Sequence, residues 1–301
     1  MPDLAANGIS LHYESRGNEG DPVILLIMGL GVQMVLWPDA LIDALVSQRF
    51  RVVRFDNRDA GLSTHLSQMG MPNVPLEFIR YKLGMKVRAP YTLDTMAADT
   101  AALIDGLALS RPHVVGASMG GMIAQNLAAH FPDQVASLTS IMSTTGRRDL
   151  PQPQWRALKA VLSPAGRDIP SAIARMERVF TTIGSLTYPA PKEHLRAICE
   201  RHVLRAHDPA GGARQLVAIA AGDDRSSTIA RIQAPTLVMH GDEDPLVPLA
   251  AAHDTVRAIQ SGGGRAEISV VRGMGHDFPI PLLPRIAEEI GNFCRRNSGA
   301  P

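Results

Sequence analysis

The 301-residue chain holds two cysteines, Cys199 and Cys294, and they lie far apart. They form no CxxC pair and no disulfide framework, which fits a reducing compartment. Excess charge of one sign is also missing. A net charge of +1 gives no overall electrostatic footprint for nucleic acid or for an anionic membrane. Long apolar runs are absent too: the most apolar stretch, Val23 to Val32, is ten residues and contains two glycines, whereas about 20 are needed to cross a bilayer. The N-terminal "MPDLAANGIS" has no basic start followed by an apolar stretch, so no signal peptide is expected. No repeat, low-complexity segment, HExxH, GxxxxGK[ST] or GxGxxG is present. These absences lead to the expectation of a soluble, cytoplasmic protein with no metal and no organic cofactor.

The rest of the composition is that of a globular domain, 45% hydrophobic and 20% charged. The length suits one large α/β domain or two small ones. Asn7-Gly8 reads as a hairpin turn, with Ile9, Leu11 and Tyr13 alternating after it. "VILLIM" (23–28) reads as a strand buried on both faces. A helix is expected over 36–46, and "RVVRF" (51–55) as the next strand. Helix 92–107, strand 113–115, helix 119–130 and strand 135–141 follow. After a gap come strand 235–240, helix 249–259, strand 267–271 and helix 282–296. Such alternation argues for a mostly parallel sheet with helices on both faces. It breaks between about 146 and 228, where helical segments (155–162, 172–180, 192–206) are split by prolines and glycines. This stretch reads as a helical lid over the carboxyl ends of the strands.

At 116–121 the chain reads "GASMGG". Gly-x-Ser-x-Gly is a weak signal alone, and a glycine-rich turn with a helix-capping serine would also produce it. Here it falls where a strand ends and a helix begins, as a nucleophile elbow requires. Ser118 would sit at the tip of a strained turn, with Gly116 and Gly120 leaving room for strand and helix to approach. The Met119 N–H would lie at a helix N-terminus, aimed at a developing oxyanion.

A serine hydroxyl needs a base, and the base needs an orienting acid. Downstream, strand "PTLVMH" leads into "GDEDPLVP", which offers Asp242, Glu243 and Asp244. The last strand leads into "RGMGHDFP", which offers His276. Both loops leave the carboxyl end of a strand, where open α/β sheets bind ligands. Among the acids, Pro245 fixes the chain just after Asp244, and Asp242 is the alternative. His113 and His240 read as structural, at strand ends, and His202 and His207 as lid residues. The loop "MGLGVQ" (28–33) follows the first central strand, where a second oxyanion donor belongs. Gly29 and Gly31 let its backbone approach the substrate, and the Leu30 N–H would face that of Met119. Met34 and Trp37 from below, and Phe180 with "FTTIGSL" (180–186) from the lid, are candidates to line the pocket.

Together "MGLG…LWP", "FDNRDAGLST", "GASMGG", "HGDEDPLVP" and "GMGHDFP" resemble the α/β-hydrolase superfamily, in its order and over nearly the whole chain. Within it the sequence is similar to a bacterial esterase group that includes aclacinomycin methylesterase-like proteins. The resemblance implies an eight-stranded, mostly parallel sheet with a helical cap after the sixth strand: core 1–145 and 229–301, cap 146–228. It implies Ser118, Asp244 and His276 as a triad, with Leu30 and Met119 N–H as the oxyanion hole. It also makes "DNRDAGLS" a structural turn whose arginine ties loops together behind the site, rather than an ionic site. One departure stands out: many members have His-Gly where this chain has Met28-Gly29, which leaves open what supports the oxyanion loop.

The expectation is a serine hydrolase acting on small or medium uncharged esters, with no nucleic-acid or membrane partner and a homodimer left open. A C–C bond hydrolase or a cofactor-free perhydrolase would use the same three residues. A non-catalytic receptor on this scaffold would dispense with turnover.

Overall fold

The computed structural model describes residues 2–166 and 168–298. Eight strands form one sheet: β1 (Asp3–Ala6), β2 (Ile9–Arg16), β3 (Val23–Ile27), β4 (Arg51–Phe55), β5 (His113–Ala117), β6 (Ser137–Ile141), β7 (Thr236–Gly241) and β8 (Ala266–Val271). Their spatial order is β1-β2-β4-β3-β5-β6-β7-β8. The β1–β2 and β2–β4 pairs are antiparallel, and every other pair is parallel. Asn7 (φ 48°) and Gly8 (φ 78°) make the first hairpin turn, because two successive positive φ values match the twist of the flanking strands.

The unbroken apolar strands follow from helices on both faces. Along β3, Leu25 and Ile27 enter the core shared with helices Leu93–Gly106 and Met119–His130, while Ile24 and Leu26 enter the core shared with Asp39–Ser47 and Leu283–Asn297. Val114 and Val115 of β5 divide in the same way. Each such buried side chain contributes about 1.5–3 kcal/mol of transfer free energy. The helix expected over 92–107 has Thr92 as its N-cap, accepting the Thr95 N–H, and Leu107 as its C-cap. No helix among the described residues is long and apolar enough to cross a membrane.

Between β6 and β7 the described residues form five helices and no strand: Trp155–Val161, Ile169–Ile183, Lys192–Arg205, Pro209–Ala221 and Ser226–Ile229. Ala172, Ile173, Met176, Cys199 and Val203 give Ile169–Ile183 and Lys192–Arg205 a small core of their own. Pro209–Ala221 and a further helix, Val74–Lys82, were not expected. Pro209, Gly211 and Gly212 disguise the start of the first, although proline suits an initial helical turn and Asp208 caps it through the Ala210 N–H. The second is short and starts from the Asn73 cap.

Buried charge binds these inserted helices to the sheet. Arg214 grips Asp59 with two bonds of 2.7 and 2.8 Å, and neither side chain is exposed. Burial pushes the Asp59 carboxyl up, but Arg214, the Leu66 N–H and the Tyr91 hydroxyl outweigh it and leave it below the usual carboxylate range. Asp208 and His65 converge on the same place, where the Arg214 guanidinium already contacts both carboxylates. Arg225, near the end of the inserted segment, donates to Met122 O, Gln125 Oε1 and Asn126 Oδ1 of helix Met119–His130 and to Thr144 O just before the segment begins.

Removing one partner of a buried pair strands the other charge, at a cost of about 3–5 kcal/mol. Arg214→Ala should therefore lower unfolding stability by that order in a urea titration; a loss below about 1 kcal/mol would contradict this. The Asp59 contribution is present above the unfolded carboxylate pKa of about 4 and is lost as pH falls through its lower folded value. Asp59→Asn should flatten that acid limb.

Candidate active site

Ser118 lies between β5 and helix Met119–His130, with φ 56° and ψ −121°. A side chain at positive φ is strained, and the surrounding backbone holds it there. The Ser118 N–H donates to Ile141 O, and Ser118 O accepts from the Gly121 and Met122 N–H groups. A Cβ on Gly116 would sit 2.2 Å from Gly120 O, and one on Gly120 would sit 2.0 Å from Ile27 O. The two glycines thus permit β5, its helix and β3 to touch, as expected at this turn.

His276 and Asp244 reach Ser118 from the ends of β8 and β7. The Ser118 Oγ is 3.0 Å from His276 Nε2, and His276 Nδ1 is 2.7 Å from Asp244 Oδ2. The other Asp244 oxygen accepts the Leu246 and Val247 N–H groups, each at 2.8 Å. Burial pushes the Asp244 carboxyl up, but the neighbouring His276 and His240 rings outweigh it and hold it well below the usual range. It is therefore an anion at neutral pH, poised to accept the Nδ1–H of His276.

The alternative acid, Asp242, accepts the Gly273 N–H at 2.7 Å. Glu243 takes the Leu186 and Thr187 N–H groups and the Thr187 hydroxyl. The acidic loop thus divides its work: Asp244 meets His276, and its neighbours brace the surrounding loops. His113 and His240 have structural bonds. His113 lies between Ser137 and Ser298 and is pulled down to about 4 by burial. His240 Nε2 donates to Val247 O.

The loop after β3 abuts the serine: a Cβ on Gly29 would meet Ser118 Cβ at 3.2 Å and Oγ at 3.7 Å. Its Gly31 N–H donates to Gln215 Oε1 at 2.7 Å, and its Val32 N–H to Gly29 O. Among the described residues, the Leu30 and Met119 N–H groups have no hydrogen-bond acceptor. Met34 and Trp37 have no exposed surface. Trp37 packs on Phe278 with ring centroids 5.1 Å apart, and the Met34 N–H is held by Asp56 Oδ1. Phe180 is half-buried on the small core of the inserted helices, beside Val32 and Leu36.

Sequence reasoning found only part of what carries this loop. Asn57 Nδ2 donates to Met28 O at 2.9 Å. Gln215, fully buried, binds the Gly31 N–H through its oxygen and Arg58 O through its nitrogen. Arg205 Nη1 joins Gln33 Oε1 to Asp56 Oδ2, both at 2.7 Å. Arg58 forms a two-bond buried pair with Asp99, 2.6 Å each. The stretch 56–59 is therefore an anchoring turn with every charge paired. On the other side of the site, the His276 N–H donates to Ile183 O. Ser185 Oγ donates to Asp277 Oδ1 and accepts from the Gly275 N–H, while burial pushes the Asp277 carboxyl up. The "DNRDAGLS" motif signalled half of these contacts. Gln215 had no signal, because its partner lies 184 residues away. Ser185 falls within "FTTIGSL", a candidate pocket stretch, and instead it binds Asp277 and the Gly275 N–H.

A serine, an imidazole and a carboxylate stand in hydrogen-bonding line at the carboxyl ends of a mostly parallel sheet, and the chain belongs to the α/β hydrolase fold family, which it matches over residues 22–278. It is similar to the rhodomycin D methylesterase of Streptomyces peucetius, 26% identical over 308 residues and 94% of each chain. It is also similar to 3-oxoadipate enol-lactonase 2 of Acinetobacter baylyi, 26% identical over 82% of this chain and 80% of that one. Among solved structures, an enol-lactonase from Burkholderia xenovorans shares the fold, with a TM-score of 0.72 at 22% identity, covering 98% of this chain and all of that one.

Gly120→Ala should forfeit the turn, because its Cβ meets backbone that no rotamer relieves. The expected outcome is loss of soluble protein or a melting point lower by more than about 5 °C. A variant that melts like the wild type would contradict the close approach.

Proposed function

We propose that this chain is a serine hydrolase that cleaves carboxylic esters through an acyl-enzyme. The observation that carries this reading is the continuous hydrogen-bonded line from Ser118 Oγ through His276 to Asp244. In the proposed reaction His276 Nε2 takes the Ser118 proton as Oγ attacks the ester carbonyl. Asp244 holds the ring in the tautomer that leaves Nε2 free and stabilises the imidazolium that forms. The Met119 N–H, at a helix N-terminus, and the Leu30 N–H receive the developing oxyanion. The alcohol leaves with the proton from His276, and water attacks the acyl-enzyme by the same route.

Residues 146–228 act as a cap over this site, with Phe180 and the Gly29–Gly31 backbone in the pocket wall. Two relatives of this chain are named for cleaving a methyl ester and an enol-lactone, both carboxylic esters, which supports the same bond class here. An uncharged acyl group is favoured because Arg58, Arg205 and Arg214 are each committed to a carboxylate of the protein, so none is free for a substrate anion.

Ser118→Ala should lower turnover of p-nitrophenyl acetate, butyrate and octanoate by at least about 10³-fold. Full activity in that variant would overturn the reading. Gln215→Ala should reduce kcat by about 10–10²-fold with KM little changed, because it frees the loop bearing the Leu30 N–H and small misplacements of such groups are costly. A rise in KM alone would assign Gln215 to substrate binding instead.

A further inference from the structure

The segment between β4 and helix Leu93–Gly106 has its amphipathic pattern turned inside out. Met69, Met71, Leu76, Ile79, Leu83 and Met85 are each between 44% and 68% exposed. The one carboxylate between residues 69 and 88, Glu77, is buried instead and accepts the Arg88 N–H at 2.8 Å. In helix Val74–Lys82 and its cap, Leu76, Ile79 and Leu83 recur at helical spacing and share the outer face. At about 100° per residue, Arg80 and Lys82 flank that apolar stripe on its two sides, with Glu77 on the opposite face. Lys86 and Arg88 follow just beyond the helix, both exposed.

The inner face is firmly held. Helix Val74–Lys82 packs on helix Pro209–Ala221. Arg214 Nη1 donates to Gly70 O, and Arg148 Nη1 donates to Tyr81 O while its guanidinium lies 4.5 Å from the Tyr81 ring centroid. The outer face is therefore presented on a rigid base. A contiguous apolar face on a surface helix marks an interaction site. The charge around it selects the occupant. Three exposed cations, Lys82, Lys86 and Arg88, surround the apolar side chains, while Arg80 turns toward the buried Glu77 at 3.8 Å; no exposed carboxylate lies between residues 69 and 88. A second copy docked face to face would set these cations against each other. An apolar stripe flanked by basic side chains suits a surface of acyl chains beneath anionic headgroups. The whole-chain charge of +1 conceals this local cluster.

We propose that residues 69–88 dock the protein on an anionic phospholipid bilayer surface. Leu76, Ile79 and Leu83 enter the boundary between headgroups and acyl chains, and Lys82, Lys86 and Arg88 meet lipid phosphates. The site is independent of the reaction assigned to Ser118. The test is flotation of the full chain with vesicles of phosphatidylcholine alone and of phosphatidylcholine with phosphatidylglycerol, at low and high salt. Wild type should float with the anionic vesicles and be released by salt. Ile79→Glu/Leu83→Glu and Lys82→Glu/Lys86→Glu should each weaken that binding at least about tenfold, with melting points and p-nitrophenyl acetate turnover unchanged. All four positions are surface side chains, so either variant suffices if the other fails to fold. Failure of the wild type to float, or equal flotation of both variants, would overturn the proposal. So would a wild-type dimer that Ile79→Glu/Leu83→Glu disperses, because a second copy would then cover the face.

Discussion

The architecture turns on one close approach. Helix Met119–His130 crosses the ends of β5 and β3 so tightly that a methyl group on Gly120 would occupy the space of Ile27 O. That contact leaves Ser118 in a left-handed conformation, and the same crossing sets the loop after β3 against its side chain. The strain is supportable because both flanks are overdetermined: β5 is paired on both sides by parallel strands, and the helix buries most of its surface between sheet and neighbouring helices.

Around that point buried polar and charged side chains hold the loop after β3. The backbone of Met28 to Met34 is held by Asn57, Asp56 and Gln215, and Gln33 is held by Arg205. Two of these four come from helices inserted between β6 and β7. The insertion is thus part of the scaffold: its Arg214 and Arg205 neutralise Asp59 and Asp56, and Ser185 braces the loop that carries His276. A change in the inserted helices can reach the Met28–Met34 loop through these bonds.

Much of this was legible in the sequence because local rules wrote it. Continuous apolar runs marked the buried strands, Asn7-Gly8 marked the hairpin, and Thr92 stood at the start of its helix. The glycines of "GASMGG" and the order of serine, acid and histidine marked the site. What stayed hidden was set by tertiary contact. Pro209–Ala221 begins with a proline and two glycines, so its helical period is masked where it starts. Val74–Lys82 shows no core-facing stripe because its apolar side faces outward. Pro245 and the family resemblance already favour Asp244 over Asp242; the folded loop adds what each acid reaches, the His276 ring for Asp244 and the Gly273 N–H for Asp242. Gln215 has no motif; only the folded chain brings it beneath Gly31.

The central claim is that Ser118 is a nucleophile activated by His276 and Asp244. The most direct measurement is reaction with a fluorophosphonate, with the adduct located by peptide mass mapping in the wild type and in His276→Ala. The account predicts a single adduct on Ser118, formed at least about 10²-fold more slowly in the variant. An adduct on another residue, or a Ser118 adduct formed equally fast without the imidazole, would contradict it.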